Sequence, residues 1–191
     1  MTHPHHARAA AALWTLCVAL DQLDDRVREE NDAILAERAT AADPLKSPSW
    51  GRRHALGGHG DPTGDAIAAL GPPRPNRWAA LRTEVWSQLR DVAEHLPGLA
   101  DPLDRLRAAV PHMSDRMADA TQLFADRIDG RVRRLLGLPA DRQLVPRVPC
   151  PACAAVGLML RGAPPVAERV VECTTCGAAW MWAEMVGSVA A

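Results

Sequence analysis

The chain has no tyrosine, one phenylalanine and a single lysine, Lys46. Aromatics make up 4% of the 191 residues, so large apolar volume must come from leucine, valine and the six tryptophans. Hydrophobic residues still reach 48%, which makes a packed core feasible. Net charge is −1, so no overall field draws the chain to nucleic acid or to an anionic membrane. No apolar run is long enough to span a bilayer. The run from Ala9 to Leu20 follows His5, His6 and Arg8 in the manner of a signal-peptide core. No small-x-small cleavage site comes after it. Its apolar spacing continues through Asp21, Asp24, Asp25, Arg26 and Arg28, which predicts an amphipathic helix instead. No phosphate-binding glycine loop, nucleophile elbow or metalloprotease motif is present. The expectation is a cytoplasmic protein that is not an enzyme and does not enter a membrane.

What is present is mostly helical pattern. Leu13, Leu16, Leu20, Leu23 and Val27 are spaced 3-4-3-4, with Ile34 one heptad further on, which predicts one long helix over about residues 8–41. A polar break falls at Glu30 and Asn31. The stripe suits a helix packed inside the chain, and it also suits a homodimer seam. Cys17 beside it reads as a small buried apolar residue. Residues 43–76 are rich in proline and glycine, with a short helix started by Asp61-Pro62. Asn76 can cap a helix over 77–96 whose inner stripe is Trp78, Leu81, Val85, Leu89, Val92 and Leu96. Asp101-Pro102 starts another, with Leu103, Leu106 and Val110 on one face, and Pro111 interrupts it. Ser114 can cap a continuation with Met113, Met117, Thr121, Phe124, Ile128, Val132 and Leu135 facing inward, ended by Gly137 and Pro139. Short apolar runs then predict strands over 155–160, 170–173 and 178–182, joined by a hairpin turn over 161–165. The fold class is mainly α, a bundle-like helical region followed by a small C-terminal β ribbon. The segments are 1–42, 43–76, 77–138 and 139–191.

The most specific signal is cysteine spacing. Of the five cysteines, four form Cys150-Pro-Ala-Cys153 and, after nineteen residues, Cys173-Thr-Thr-Cys176-Gly177. Each Cys-x-x-Cys turn can present two sulfurs on one side of a tight knuckle. Two facing knuckles supply four thiolates at the corners of a tetrahedron, a closed soft-ligand set that suits one structural zinc ion and leaves no corner for a catalytic water. Iron takes the same ligands, and a reduced or disulfide-redox role is the competing reading. Gly177 suits the left-handed position after a knuckle, whereas Ala154 stands at the equivalent place in the first. This segment, from about residue 150 to 182, resembles the zinc-ribbon family. That family serves in transcription, in ribosomes, in enzymes and in protein-binding adaptors.

Other side chains are weighed against it. Trp180 and Trp182 stand two apart on the last expected strand, as core over the metal site or as anchors for a partner. Positive charge is densest over 131–149, where Arg131, Arg133, Arg134, Arg142 and Arg147 face one acid, Asp141. These five are candidate nucleic-acid contacts, though arginines at a helix end also complement its dipole. The stretch Thr121–Leu136, with Ala125 and Gly130, resembles a helix-turn-helix with one residue too many between the two. His3, His5 and His6 read as a solvated tail, and His54 and His59 as loop residues.

Two further resemblances concern layout. Residues 8–70, with Asp61-Pro62-Thr63-Gly64, resemble the front half of phage late-transcription regulators, which carry a sigma-like helix-turn-helix where this chain has its ribbon. Helices followed by a ribbon with a Trp-rich strand are similar to small proteins of actinobacterial viruses and prophages. The excess of arginine over lysine, 21 to 1, fits a GC-rich coding source. The closed metal site, the long helical seam and the near-neutral charge lead to the expectation of a non-catalytic zinc-binding accessory or adaptor of viral or prophage type, acting through protein contacts, with transcription regulation as the process it serves. The alternative is a regulator that binds DNA directly, resting on Arg131–Arg147 and on the Asp-Pro-Thr-Gly resemblance.

Overall fold

The structure is a computed structural model that describes residues 4–42, 71–161 and 169–189. The expected helix after Asp61-Pro62, His3, His54, His59 and the turn following Arg161 lie outside these residues. The protein is mainly α with a small C-terminal antiparallel sheet, as the patterns predict. Among the described residues, four α-helices come first: α1 (Pro4–Ala42), α2 (Arg77–Ala93), α3 (Pro102–Ala109) and α4 (Asp115–Leu136). They lead into strands β1 (Arg142–Pro149), β2 (Val156–Arg161), β3 (Val170–Cys173) and β4 (Ala179–Met181), and a last helix, α5 (Trp182–Val189). The strands pair antiparallel in chain order. Two compact units are formed, one from Met1–Leu23 with Glu84–Ala191 and one from Asp24–Thr83.

Helix boundaries follow local chemistry. Asp101 accepts the Leu103 amide at 2.9 Å with Pro102 in the first turn, and Ser114 accepts the Met117 amide at 3.3 Å. A single 3-10 turn over Val110–His112 marks the interruption at Pro111. Gly137 ends α4 at φ 70°, and the Leu138 amide reaches back to the Arg133 carbonyl at 2.8 Å. That closure needs the left-handed conformation glycine supplies.

In the smaller unit, Asn76 accepts the amides of Trp78 and Ala79 and so caps α2 as expected. Its own amide group donates to the Val27 carbonyl at 2.9 Å and to Asn31 at 2.8 Å. Arg74 grips Glu37 through two bonds and also pairs with Glu30. The polar break in the leucine stripe is therefore where the segment before α2 seats on α1.

In the larger unit, α1 is buried on more than one side. Ala9, Ala12, Leu13, Leu16, Ala19 and Leu23 are fully buried, and Leu20 nearly so. That explains the signal-like run from Ala9 to Leu20: it is apolar because neighbours surround it. Of the stripe, Leu13, Leu16, Leu20, Leu23 and Ile34 are buried within one chain and Val27 is half-buried. Cys17 is half-buried rather than buried, and desolvation followed by the charge of Asp21 raises its thiol pKa.

Two inner faces differ from expectation. On α2 the buried row is Leu81, Val85, Leu89 and Ala93, and Val92 is exposed. A row spaced by four runs oblique to the helix axis, so the small Ala93 closes it rather than Val92. On α4 the buried face is Ala118, Thr121, Ala125, Ile128, Asp129, Val132 and Arg133, whereas Met117 and Leu135 are exposed. The helix is rotated toward its alanines, which allow close approach, and toward Asp129 and Arg133, which bond each other at 2.7 Å. Burial raises the Asp129 pKa, and Arg133 opposes that shift. The helix runs unbroken through Ala125 and Gly130, so the helix-turn-helix likeness has no turn behind it.

The sheet has two covered faces. On one, Val145, Leu158, Val171, Cys150 and Cys173 cluster with Met185 of α5, and Val148, Leu160, Trp180 and Trp182 pack around them. On the other, Val170 meets Ala7 and Ala11 of α1, with Ala179 and Met181 alongside. Strand β1 was not foreseen, because Pro146 and Pro149 interrupt its apolar alternation. As an edge strand it tolerates both. The third expected strand, over 178–182, is β4 and ends at Met181, and Trp182 instead opens α5 while its amide still bonds the Arg169 carbonyl at 2.8 Å.

The rotated face of α4 sets a direct test in urea unfolding followed by helical ellipticity. Val132→Ala and Leu16→Ala are each expected to lose stability, the leucine by about 2–5 kcal/mol. Leu135→Gln should stay within about 0.5 kcal/mol of the wild type. Equal losses at 132 and 135 would restore the expected face and contradict the observed one.

Candidate metal centre

The two knuckles are built alike. In the first, the Cys150 amide donates to the Ala155 carbonyl at 2.9 Å and the Ala154 amide to the Cys150 carbonyl at 2.8 Å. In the second, the Cys173 amide donates to Ala178 at 2.8 Å and the Gly177 amide to Cys173 at 2.9 Å. Ala154 and Gly177 hold the same left-handed turn, at φ 59° and 70°. Gly177 does so at no steric cost, whereas the Cβ of Ala154 makes the turn unfavourable. The knuckles are tied together where Thr174 donates its amide and its hydroxyl to the Gly157 carbonyl, both at 3.0 Å. An added Cβ on Gly157 would meet the Thr174 hydroxyl at 2.8 Å, so only glycine lets the two strands approach this closely.

This architecture brings all four sulfurs within 4.8 Å of one another. Cys150 and Cys176 are 3.7 Å apart, and Cys153 and Cys173 are 3.8 Å apart. Four thiolates at about 2.3 Å from a central ion define a tetrahedron with edges of about 3.8 Å. The observed pairs fit that figure and are too long for a disulfide. Cys150 and Cys173 are buried, and Cys153 and Cys176 are exposed. The four cysteines are arranged to hold a metal ion.

Electrostatics point the same way. The Cys176 amide, against desolvation but with help from the Thr175 amide, lowers the Cys173 thiol to about 6. At Cys153 the Ala155 amide favours the thiolate, but desolvation and the three neighbouring sulfurs outweigh it and push the thiol up to about 12. The cluster therefore favours one thiolate by itself and resists the full set, and a bound cation removes that resistance.

The other candidates are scattered. Arg133 is buried, with its guanidinium committed to Asp129, to the Pro139 carbonyl at 3.0 Å and to the Thr15 carbonyl at 3.4 Å. It holds α4 against α1 and cannot also reach a phosphate, which corrects its assignment as a nucleic-acid contact. Arg131 bonds both carboxylate oxygens of Glu84, which holds that acid's pKa below its ordinary value. Arg142 bonds Asp126 at 3.1 Å. Arg134 and Arg147 are exposed with no acid partner among the described residues. Arg147 sits at φ 64° in the irregular stretch between Val145 and Pro149, where β1 loses register with β2. The basic segment is thus divided between a helix and a strand.

Trp180 and Trp182 are half-buried against the core beside the sulfurs. His5 and His6 are not a solvated tail. They lie within α1, His5 bonded to Asp119 at 2.5 Å and His6 to the Met113 carbonyl at 2.8 Å. Sequence reasoning missed the residues that fasten the ribbon to the helices. Arg161 is buried and holds Asp126 through two bonds at 2.8 and 2.9 Å, and Thr15 donates to Asp141 at 3.0 Å. No local signal marks such long-range partners. Comparison with protein families, curated proteins and solved structures yields no match for the chain.

The unequal knuckles generate a reciprocal pair of expectations. Ala154→Gly relieves a left-handed cost of about 1–2 kcal/mol, less about 0.4–1 kcal/mol of extra freedom in the unfolded chain. Gly177→Ala imposes the same cost, and its new Cβ meets nothing within 4 Å, so only the backbone opposes it. In a chelator challenge the first variant should hold metal longer than the wild type and the second release it sooner. Identical release times in all three would show that the turns are unstrained.

Proposed function

We propose that this chain is a non-catalytic zinc-binding accessory protein that acts through contacts with a protein partner. The observation that carries the reading is the closed set of four sulfurs at tetrahedral spacing, which fits one structural zinc and offers no open coordination position. The knuckle tips support it. Pro151, Ala152, Thr174 and Thr175 are exposed and uncharged, and Val156 beside them is 66% exposed. A neutral surface of this kind suits a protein partner better than a phosphate backbone. Trp180 and Trp182 pack against the apolar cluster that includes Cys150 and Cys173.

We place the protein in the cytoplasm, where reduced cysteines persist. We take its likeness in layout to small zinc-ribbon proteins of actinobacterial viruses and prophages as the guide to its setting, with transcription as the process served. A second reading, direct DNA binding, rests on the exposed Arg134 and Arg147. Two arginines on separate elements with no acid partner among the described residues are a thin footprint, because specific DNA binders neutralise several phosphates.

One assay series separates these readings. Purified protein should contain one zinc per chain. Cys173→Ser should lose both the metal and the ribbon's native signals, since structural zinc contributes roughly 10–16 kcal/mol in small peptides. In fluorescence anisotropy at physiological salt, the wild type should bind duplex DNA no more tightly than about 10⁻⁶ M, the range of non-specific association. Tight binding that disappears in the Arg134→Ala, Arg147→Ala double variant would replace the adaptor with the DNA-binding regulator. Absence of zinc would remove the basis of the accessory-protein reading.

A further inference from the structure

The N-terminal end of α1 stands on the second knuckle. The Arg8 guanidinium donates to the Gly177 carbonyl at 3.0 Å, next to Cys176. Its other terminal nitrogen lies 3.5 Å from Asp119 of α4 and 3.2 Å from the His5 ring, and the side chain also approaches Glu172 of β3 at 3.9 Å. One residue earlier and three later, Ala7 and Ala11 pack on Val170, with Ala179 and Met181 alongside. Arg8 thus touches the turn that sets Cys176, the strand that leads into Cys173, and a helix outside the ribbon.

This is more contact than packing alone asks of an arginine. Its side chain is only 15% exposed, and its Nε is buried without a hydrogen-bond partner. Burying that donor is unfavourable, so the fold accepts a cost to keep the guanidinium there. The rest of the group is met by the Gly177 carbonyl and by the carboxylates of Asp119 and Glu172. Four thiolates around a divalent ion leave a net charge of about −2, and a cation beside the knuckle offsets part of it. The carbonyl it grips belongs to the residue whose left-handed turn orients Cys176. Partners that orient the ligands of a metal site tune its affinity by about 10–100-fold.

We infer that Arg8 is a positioning residue for the metal centre, and that through it metal occupancy and the docking of the α1 N-terminus on the ribbon are coupled. The inference rests on the metal reading above. Coupling is reciprocal: a docked helix holds the knuckle in its binding geometry, and a bound ion holds the surface on which the helix sits. Metal loss in the ribbon then loosens the first turns of a helix that continues into the other unit.

Two measurements on the full chain test it. In competition with a chromogenic chelator, Arg8→Gln should bind zinc about tenfold more weakly than the wild type, and Arg8→Lys should recover part of the loss by restoring the charge. In hydrogen exchange on the wild type, chelation should raise exchange at amides of residues 8–15 as well as in the ribbon, while the second half of α4 stays protected. Unchanged zinc affinity in Arg8→Gln would overturn the inference and leave the metal reading intact. So would exchange confined to the ribbon after chelation, a test that does not depend on any variant folding. A wild type that binds no zinc would overturn the metal reading and this inference together.

Discussion

Four thiolates held within 4.8 Å of one another repel, and a cation among them relieves that repulsion. The C-terminal part of the protein is organised around that constraint. Two matched turns deliver the sulfurs, Gly157 lets the strands that carry them close together, and one face of the sheet closes over the two buried ligands with Trp180, Trp182 and Met185. The apolar cluster behind the four sulfurs is modest, as expected of a segment this small. On the proposed reading, metal–thiolate bonds and a few backbone hydrogen bonds take the part that a larger hydrophobic core plays elsewhere.

The helical part rests on different physics. The first half of α1 is buried by ordinary apolar packing, and the ribbon is fastened to it by ion pairs from α4. Asp126 takes Arg142 and Arg161 of the ribbon, whereas Asp129 takes Arg133 within α4 itself. Partly buried pairs of this kind confer position more than net stability. They also explain how a chain with a basic stretch presents so little free positive charge. Arg142 and Arg161 are taken by Asp126 across the seam between helix and ribbon, Arg133 by Asp129 within α4, and Arg131 by Glu84 of α2.

The sequence made some of this readable. The cysteine spacing named the four ligands, because a knuckle imposes a fixed local geometry. The caps at Asn76, Asp101 and Ser114 and the stop at Gly137 were legible for the same reason: each is a bond within a few residues. The leucine stripe of α1 located its buried face. What was not legible depends on partners distant in the chain. The face of α4 turned on Ala125 and the Asp129–Arg133 pair, which a search for large apolar residues passes over. Strand β1 was hidden by its two prolines. The histidines at 5 and 6 read as a tail because Asp119 and Met113 lie more than a hundred residues away. Arg8 carried no signal at all until the second knuckle was seen beneath it.

The central claim is that one metal ion is held by these four sulfurs and by nothing else. X-ray absorption at the zinc edge of the purified protein tests it most directly, because the fine structure counts and identifies the atoms bound to the metal. The account predicts four sulfur neighbours at about 2.3 Å and no nitrogen or oxygen in the inner shell. A shell containing nitrogen or oxygen at about 2.0 Å, or fewer than four sulfurs, would contradict it.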